Sequence, residues 1–290
     1  MSTRTVIIPA AGHGTRLLPA TRMTAKELLP IYDRVAIDFA MEEAAGAGVE
    51  RIVLVISASK EAIRTYLGPV DATQPRRPSG SGRSPGRPKP EVCFVIQEKA
   101  LGLGHAVLCC KHMVLPGPFA VLLPDDIIMG PNCLEDMTTH YTTGHMIAAM
   151  EVKAHETSQY GIFQCSGPTT DRRIPVSGMV EKPWPGTAPS LFAAVGRYIL
   201  DPTIFGLLER TPLGKGGELQ LTDAIAAATR NTDVSAFRFV GTRYDCGNHD
   251  GLLAASVARQ SIVRQKTAAR DATDALSVVG FGASGVKLSA

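Results

Sequence analysis

A glycine turn with two cations beside it opens the chain's chemistry. Val6-Ile7-Ile8-Pro9 reads as a buried strand, and Ala10-Ala11-Gly12-His13-Gly14-Thr15-Arg16 follows, with Lys26-Glu27-Leu28-Leu29-Pro30 a short way on. A chain that leaves a strand through glycines presents backbone N–H groups, and an arginine and a lysine next to them can hold a nucleoside triphosphate by its phosphates. Phosphoryl and nucleotidyl transfer need charge neutralisation more than proton shuffling, because charge spreads over phosphate oxygens in the transition state. Two common glycine motifs do not fit. G-x-x-x-x-G-K-[ST] is absent, and the third position of G-x-G-x-x-G is Leu17, where close helix packing needs Gly or Ala.

Other residues could complete such a site. Asp125-Asp126 follow an apolar run, and Asp245 lies in Tyr244-Asp245-Cys246-Gly247-Asn248. Carboxylates are hard oxygen ligands suited to Mg²⁺, which is usually held by one or two of them plus substrate phosphates. In isolation Pro124-Asp125-Asp126 reads better as a turn, and Asp245 as a helix N-cap. Glu181-Lys182-Pro183 offers acceptors to sugar hydroxyls and a point charge to a phosphate. The tripeptide alone reads better as an exposed turn. Gln97, with Gly102-Leu103-Gly104-His105-Ala106, forms a second glycine turn after a strand, and a glutamine amide can read a pyrimidine edge. His105 reads as a helix-start residue rather than a base. No serine or cysteine triad is present.

These residues need a scaffold, and the first half of the chain alternates strand and helix signals. Thr5–Pro9, Arg51–Ile56, Val92–Gln97 and Phe119–Leu123 read as strands; Ile37–Ala47, Lys60–Tyr66 and Gly104–His112 read as helices. The alternation predicts an α/β fold with a parallel sheet, helices on both faces, and ligands outside the carboxyl ends of the strands. The second half is less regular. Strands are expected at 147–152, 160–165, 173–181, 192–200 and 235–240, and helices at 203–209, 222–230 and 251–266. One domain over 1–266 is expected, interrupted at 68–90 by a Pro/Gly/Ser/Arg loop without apolar periodicity. The 267–290 tail reads as loosely ordered or docked on a partner subunit.

Composition narrows the class. A net charge of +3, scattered along the chain, does not call for nucleic acid or a membrane surface. The six cysteines contain no C-x-x-C, which suggests reduced thiols, and no apolar run reaches membrane-spanning length. Ser2-Thr3-Arg4 leads straight into the first strand without a signal peptide, so a cytoplasmic protein is expected.

Taken in order, the segments resemble the bacterial UTP–glucose-1-phosphate uridylyltransferases, a branch of the sugar-phosphate nucleotidyltransferases. The resemblance runs from about Thr5 to about Val263. It rests on Pro9–Thr21, Lys26–Pro30, Gly102–Val107, Leu123–Asp126, Val180–Pro183, Val195–Tyr198, Glu218-Leu219-Gln220-Leu221-Thr222-Asp223-Ala224 and Asp245-Cys246-Gly247-Asn248, of which the last two are the most telling. It implies a Rossmann-like nucleotidyltransferase fold, with a mostly parallel central sheet and a smaller sugar-binding β lobe. It implies that Ala11, Gly12, Gly14, Glu27, Gln97 and Gly102 bind the nucleotide, and that Arg16 and Lys26 hold the triphosphate. Lys182 would contact the sugar phosphate, and Tyr160, Gly161, Glu181, Val195 and Gly196 would line the glucose site. Asp125 and Asp245 would bind Mg²⁺. The implied reaction joins UTP and α-D-glucose 1-phosphate into UDP-glucose and pyrophosphate, in a homo-oligomer of two or four chains. A thymidylyltransferase using dTTP, or a nucleotide-sugar-binding regulatory paralogue without turnover, are the other readings. The chain departs from the family pattern at Ala25, where proline is usual, and at Arg34-Val35-Ala36-Ile37-Asp38, where Lys-Pro-Leu-Ile-Gln is usual.

Overall fold

The structure is a computed structural model that describes residues 3–68 and 89–280. Its first half holds β1 (Thr5–Pro9), a small ribbon of β2 (Pro30–Ile31) and β3 (Arg34–Val35), α1 (Ala36–Gly46), β4 (Arg51–Ile56), α2 (Glu61–Leu67), β5 (Glu91–Ile96), α3 (Leu103–Leu108) and β6 (Phe119–Leu122). The second half continues with β7 (Asp126–Met129), α4 (Cys133–His140), β8 (His145–Glu151), β9 (Gly161–Cys165), β10 (Arg173–Glu181) and β11 (Phe192–Leu200). It ends with α5 (Thr203–Leu208), α6 (Leu221–Ala228), β12 (Val234–Arg238), β13 (Thr242–Asp245) and α7 (His249–Gly280).

Nine strands form one sheet in the order β5-β4-β1-β6-β11-β8-β12-β10-β9. The first four are mutually parallel, as the strand–helix alternation predicts. Strands β11 and β10 run against the other seven, so the far half of the sheet is mixed. Strands β9 and β10, where the smaller sugar-binding lobe was expected, are therefore continuous with the main sheet.

Side-chain alternation divides the core between the two faces. From β1, Ile7 joins Val53, Val55, Phe119 and Val121 in a cluster with Val107 of α3, Phe205 of α5 and Ile225 of α6. Val6 and Ile8 point the other way and join Ile52, Leu54 and Ile56 in a cluster with Ile37 of α1, Ile63 of α2 and Met137 of α4. Strands covered on both faces must be apolar on both, which is why β4 reads as a continuous run. Each such fully buried Ile, Val or Phe contributes roughly 1.5–3 kcal/mol.

Five elements were not legible in the periodicity: the β2–β3 ribbon, β7, β13 and α4. β7 and β13 form a two-stranded antiparallel ribbon, each only four residues long, and α4 begins at an Asn132 cap whose side chain accepts the Glu135 N–H at 2.9 Å. The last helix also exceeds its expected end at Lys266. It runs to Gly280 because no glycine or proline interrupts the alanine-rich stretch after Gly251. Its first turns pack Leu252 and Ala255 against Ile31, Ala36, Ile127 and Cys246, and Arg259 pairs with Asp33 at 2.7 Å. The expected basic loop falls mainly on 69–88 and the end of the tail on 281–290, both outside the described residues. All six cysteines are free thiols. Among the described residues no helix is long and apolar enough to cross a membrane.

Candidate active site

The glycine turn leaves β1 at the carboxyl edge of the sheet. Gly14 takes φ 68°, a left-handed conformation that favours glycine, and it caps the short helical turn Thr15–Leu17. Thr21 Oγ1 donates to the Gly14 carbonyl at 2.8 Å, which folds the loop back on itself. Ala11 is buried while Gly12 is exposed, and a Cβ on Gly12 would have Lys26 Nζ at 4.0 Å. Arg16 stands at the mouth with its side chain 63% exposed. The turn and the two cations thus come together as the sequence suggested.

Lys26 reaches across to Asp125, with Nζ 2.6 Å from Oδ2. Burial alone would lower the lysine's pKa, but the charges of Asp125 and Glu27 outweigh it and the net direction is up. Burial likewise opposes ionisation of Asp125, and the neighbouring ammonium holds its carboxyl below the usual value.

The β7–β13 ribbon brings the second carboxylate from far along the chain. Asp126 and Asp245 are directly paired in the register, and the Cys246 N–H donates to the Asp125 carbonyl at 2.8 Å. Gly247 marks where the groups meet. A Cβ there would lie 3.0 Å from Asp125 Oδ2 and 3.0 Å from Asp245 Oδ1, and it would collide with Arg16 Nη2. Two carboxylates converging on one point, with a guanidinium alongside, suit a hard divalent cation whose other positions are filled by water and phosphate. Among the described residues no group of three His, Cys, Asp or Glu side chains gathers to hold a metal unaided.

The residues expected to line a sugar site lie at the start of β9, the end of β10 and the irregular middle of β11. Glu181 accepts from Thr222 Oγ1 at 2.7 Å and pairs with Lys182 Nζ at 3.2 Å. Lys182 bends the chain through φ 44°, a conformation costing a non-glycine residue about 1–2 kcal/mol, and its N–H donates to the Tyr160 carbonyl at 2.9 Å. Gly161 lies under Glu181, where a Cβ would press on Met179. Gly196 gives its N–H to Asp126 Oδ2 at 2.7 Å and leaves no room for a side chain beside Leu123. Val195 is buried in the core, so only its backbone can face a ligand.

Of the residues expected to bind the nucleotide, Gln97 is buried. Its amide nitrogen donates to the Gly102 carbonyl at 3.2 Å and lies 2.9 Å from His105 Nδ1. Gly102 takes φ 90°, a Cβ there would also strike Glu218, and the Leu219 N–H binds the Leu101 carbonyl at 2.7 Å. The glycine turn is thereby stitched to the Glu218–Gln220 stretch. Glu27 departs from its expected ligand role: its carboxylate is buried and is taken at 2.9 and 2.7 Å by Lys60 Nζ. Burial pushes this carboxyl's pKa up and the Lys60 ammonium's down, each against the partner's charge.

Sequence reasoning missed the cations behind the site. Arg243 of β13 pairs with Asp126, lies 3.8 Å from Asp245 Oδ2, and donates to the Tyr160 hydroxyl at 3.0 Å. Arg197 of β11 is buried and clamps Glu43 of α1 while donating to the Leu123 and Gly196 carbonyls at 3.1 Å. The pairing partners lie far apart in the chain, so nothing local announces them.

Comparison with known proteins shows the family of the chain. The nucleotidyl transferase family model matches residues 5–261. The UTP–glucose-1-phosphate uridylyltransferase of Bacillus subtilis strain 168 is 40% identical over 266 residues, covering 88% of this chain and 90% of its own. The enzyme of that name from Pseudomonas aeruginosa is 37% identical, covering 86% and 93%. Among solved structures, a UDP-glucose pyrophosphorylase complexed with UDP-glucose superposes with a TM-score of 0.79 at 34% identity, covering 89% of this chain and 99% of its own. A UTP-bound UGPase from Acinetobacter baumannii gives 0.76 at 35% identity, covering 89% and 93%. With the family match spanning most of the chain and the fold shared with these structures, the chain belongs to the nucleotidyl transferase family and is an enzyme akin to its bacterial UTP–glucose-1-phosphate uridylyltransferases.

Proposed function

We propose that this enzyme transfers the uridylyl group of UTP to α-D-glucose 1-phosphate, giving UDP-glucose and pyrophosphate, with Mg²⁺ as its metal. The observation that carries the reading is the meeting of Arg16, Asp125 and Asp245 around Gly247, with Lys26 on Asp125. The similarity to relatives of that name, and to structures holding UTP and UDP-glucose, supports the choice of substrates.

In this reading a phosphate oxygen of the sugar attacks the α-phosphorus of UTP in line, and pyrophosphate leaves with no covalent enzyme intermediate. The attacking phosphate is already anionic, so no side chain need take a proton. Asp125 and Asp245 would hold Mg²⁺, which supplies charge screening at the phosphates when bound. Lys26 and Arg16 grip the triphosphate and steady the leaving pyrophosphate. Lys182 holds the sugar phosphate, and Glu181, fixed by Thr222, accepts a sugar hydroxyl. Holding both anions in near-attack geometry is the protein's main contribution, because positioning removes much of the entropic barrier.

A coupled pyrophosphate-release assay with UTP and dTTP across a set of sugar 1-phosphates is the test. Turnover highest with UTP and glucose 1-phosphate is expected. Absence of turnover with UTP on every sugar would sink the assignment, and preference for dTTP would replace it.

A further inference from the structure

Lys26 has two carboxylates nearby, and only one of them belongs to the cleft. Asp125 is the cleft partner, 2.6 Å away. The other is Glu27, its neighbour in the chain, whose side chain is fully buried. A buried carboxylate without a cation is strongly unfavourable. Besides Lys60, the ammonium whose charge acts on this carboxylate is that of its chain neighbour Lys26. Lys60 removes that conflict by meeting both Glu27 oxygens from behind, with its own side chain only 10% exposed. Lys60 ends the turn Ala58–Lys60 that follows β4, and β4 pairs with β1 through the whole of Thr5–Pro9. The strand pair that launches the glycine loop therefore also launches this cation.

We propose that Lys60 is a positioning residue for nucleotidyl transfer: by neutralising Glu27 inside the protein, it leaves Lys26 turned towards Asp125 and the phosphates. The inference rests on the reading of Lys26 as the triphosphate-holding cation. Without the Lys60 charge, Lys26 stands between a partly exposed carboxylate, Asp125, and a fully buried one, Glu27, and the fully buried one makes the stronger demand. Without both the Lys60 and the Glu27 charges, Lys26 again has one partner.

The experiment is steady-state kinetics on the full chain, with the thermal midpoint measured in parallel. Lys60→Met should raise KM for UTP about tenfold or more while KM for glucose 1-phosphate changes by less than about threefold. The double variant Glu27→Gln, Lys60→Met should bring KM for UTP back to within about threefold of wild type. A lowered thermal midpoint with an unchanged KM for UTP, an equal rise in both KM values, or a double variant that keeps the Lys60→Met defect would each overturn the proposal. If Lys60→Met does not fold, Lys60→Arg takes its place: retained KM for UTP supports the role, and a rise of about tenfold contradicts it. If the wild type shows no turnover, the reaction assignment fails separately. UTP affinity by calorimetry then decides the role of Lys60, with weaker binding in Lys60→Met supporting it and equal binding overturning it.

Discussion

Asp125 and Asp126 are chain neighbours with opposite tasks. Asp125 faces Lys26 and the cleft, and its pKa is held down despite burial because the ammonium touches it. Asp126 faces inward, and burial pushes its pKa up even with Arg243 paired to it and the Gly196 N–H bound to it. Asp125 lies in the turn closed by the Asp126 N–H on the Leu123 carbonyl, and Asp126 opens β7, so one aspartate can serve ligands while the next ties β7 to β11 and β13. Asp125→Ala should lower Mg²⁺-dependent kcat about 100-fold or more, and near-normal activity would move the metal site elsewhere. Lys182→Ala should raise KM for the sugar phosphate about tenfold and KM for UTP much less; the reverse pattern would reassign the lysine. Arg243→Met leaves a buried Asp126 without its cation. Urea unfolding should show a loss of about 3–5 kcal/mol, whereas an unchanged midpoint would mean Asp126 takes a proton at no cost.

At the scale of elements, the departures from the family pattern turn out to be locally accommodated. Ala25 sits at φ −59°, inside the range that a proline ring imposes, so the loop before Lys26 already has a proline-like backbone. Ala25→Pro should therefore stabilise by about 0.4–1 kcal/mol in denaturant titration, by restricting the unfolded chain. Destabilisation would show that the Ala25 N–H or the conformation of Thr24 is needed. Asp38 accepts the Val35 N–H at 3.4 Å at the start of α1 and the Tyr66 hydroxyl at 2.9 Å. A negative charge in the first helical turn also opposes the helix dipole favourably. The short ribbon of β7 and β13 has only four residues per strand, yet it fixes the spacing of both candidate metal-binding aspartates.

Across the whole molecule, stability should fall in mild acid. His145 is fully buried at the start of β8, its Nε2 has no partner, and burial pushes its pKa down to about 4 against the opposing charge of Asp201. The folded protein thus keeps this imidazole neutral while the unfolded chain protonates it near its ordinary value of 6.5. Its contribution is fully present above that value and is lost as pH falls from about 6.5 towards about 4, amounting to roughly 3 kcal/mol at the lower end. Urea titrations of wild type and His145→Asn across this window measure the difference. Parallel pH slopes for the two proteins would show that another group dominates.

What could be read without the fold was whatever is local. The run Val6–Pro9 followed by glycines and the apolar β4 carry their meaning in neighbouring residues, and the parallel half of the sheet follows from strand–helix alternation. The family resemblance extended this to a list of expected site residues. Tertiary structure decided which side chains face the cleft and which are consumed inside. Glu27 is closed off by Lys60, Asp126 by Arg243, and Val195 by the core, through partners that lie 33 and 117 residues away in the first two cases. The reason is physical. Backbone propensity and glycine geometry act over a few residues, whereas the fate of a charge depends on burial and on the nearest opposite charge, and only the packed fold sets both.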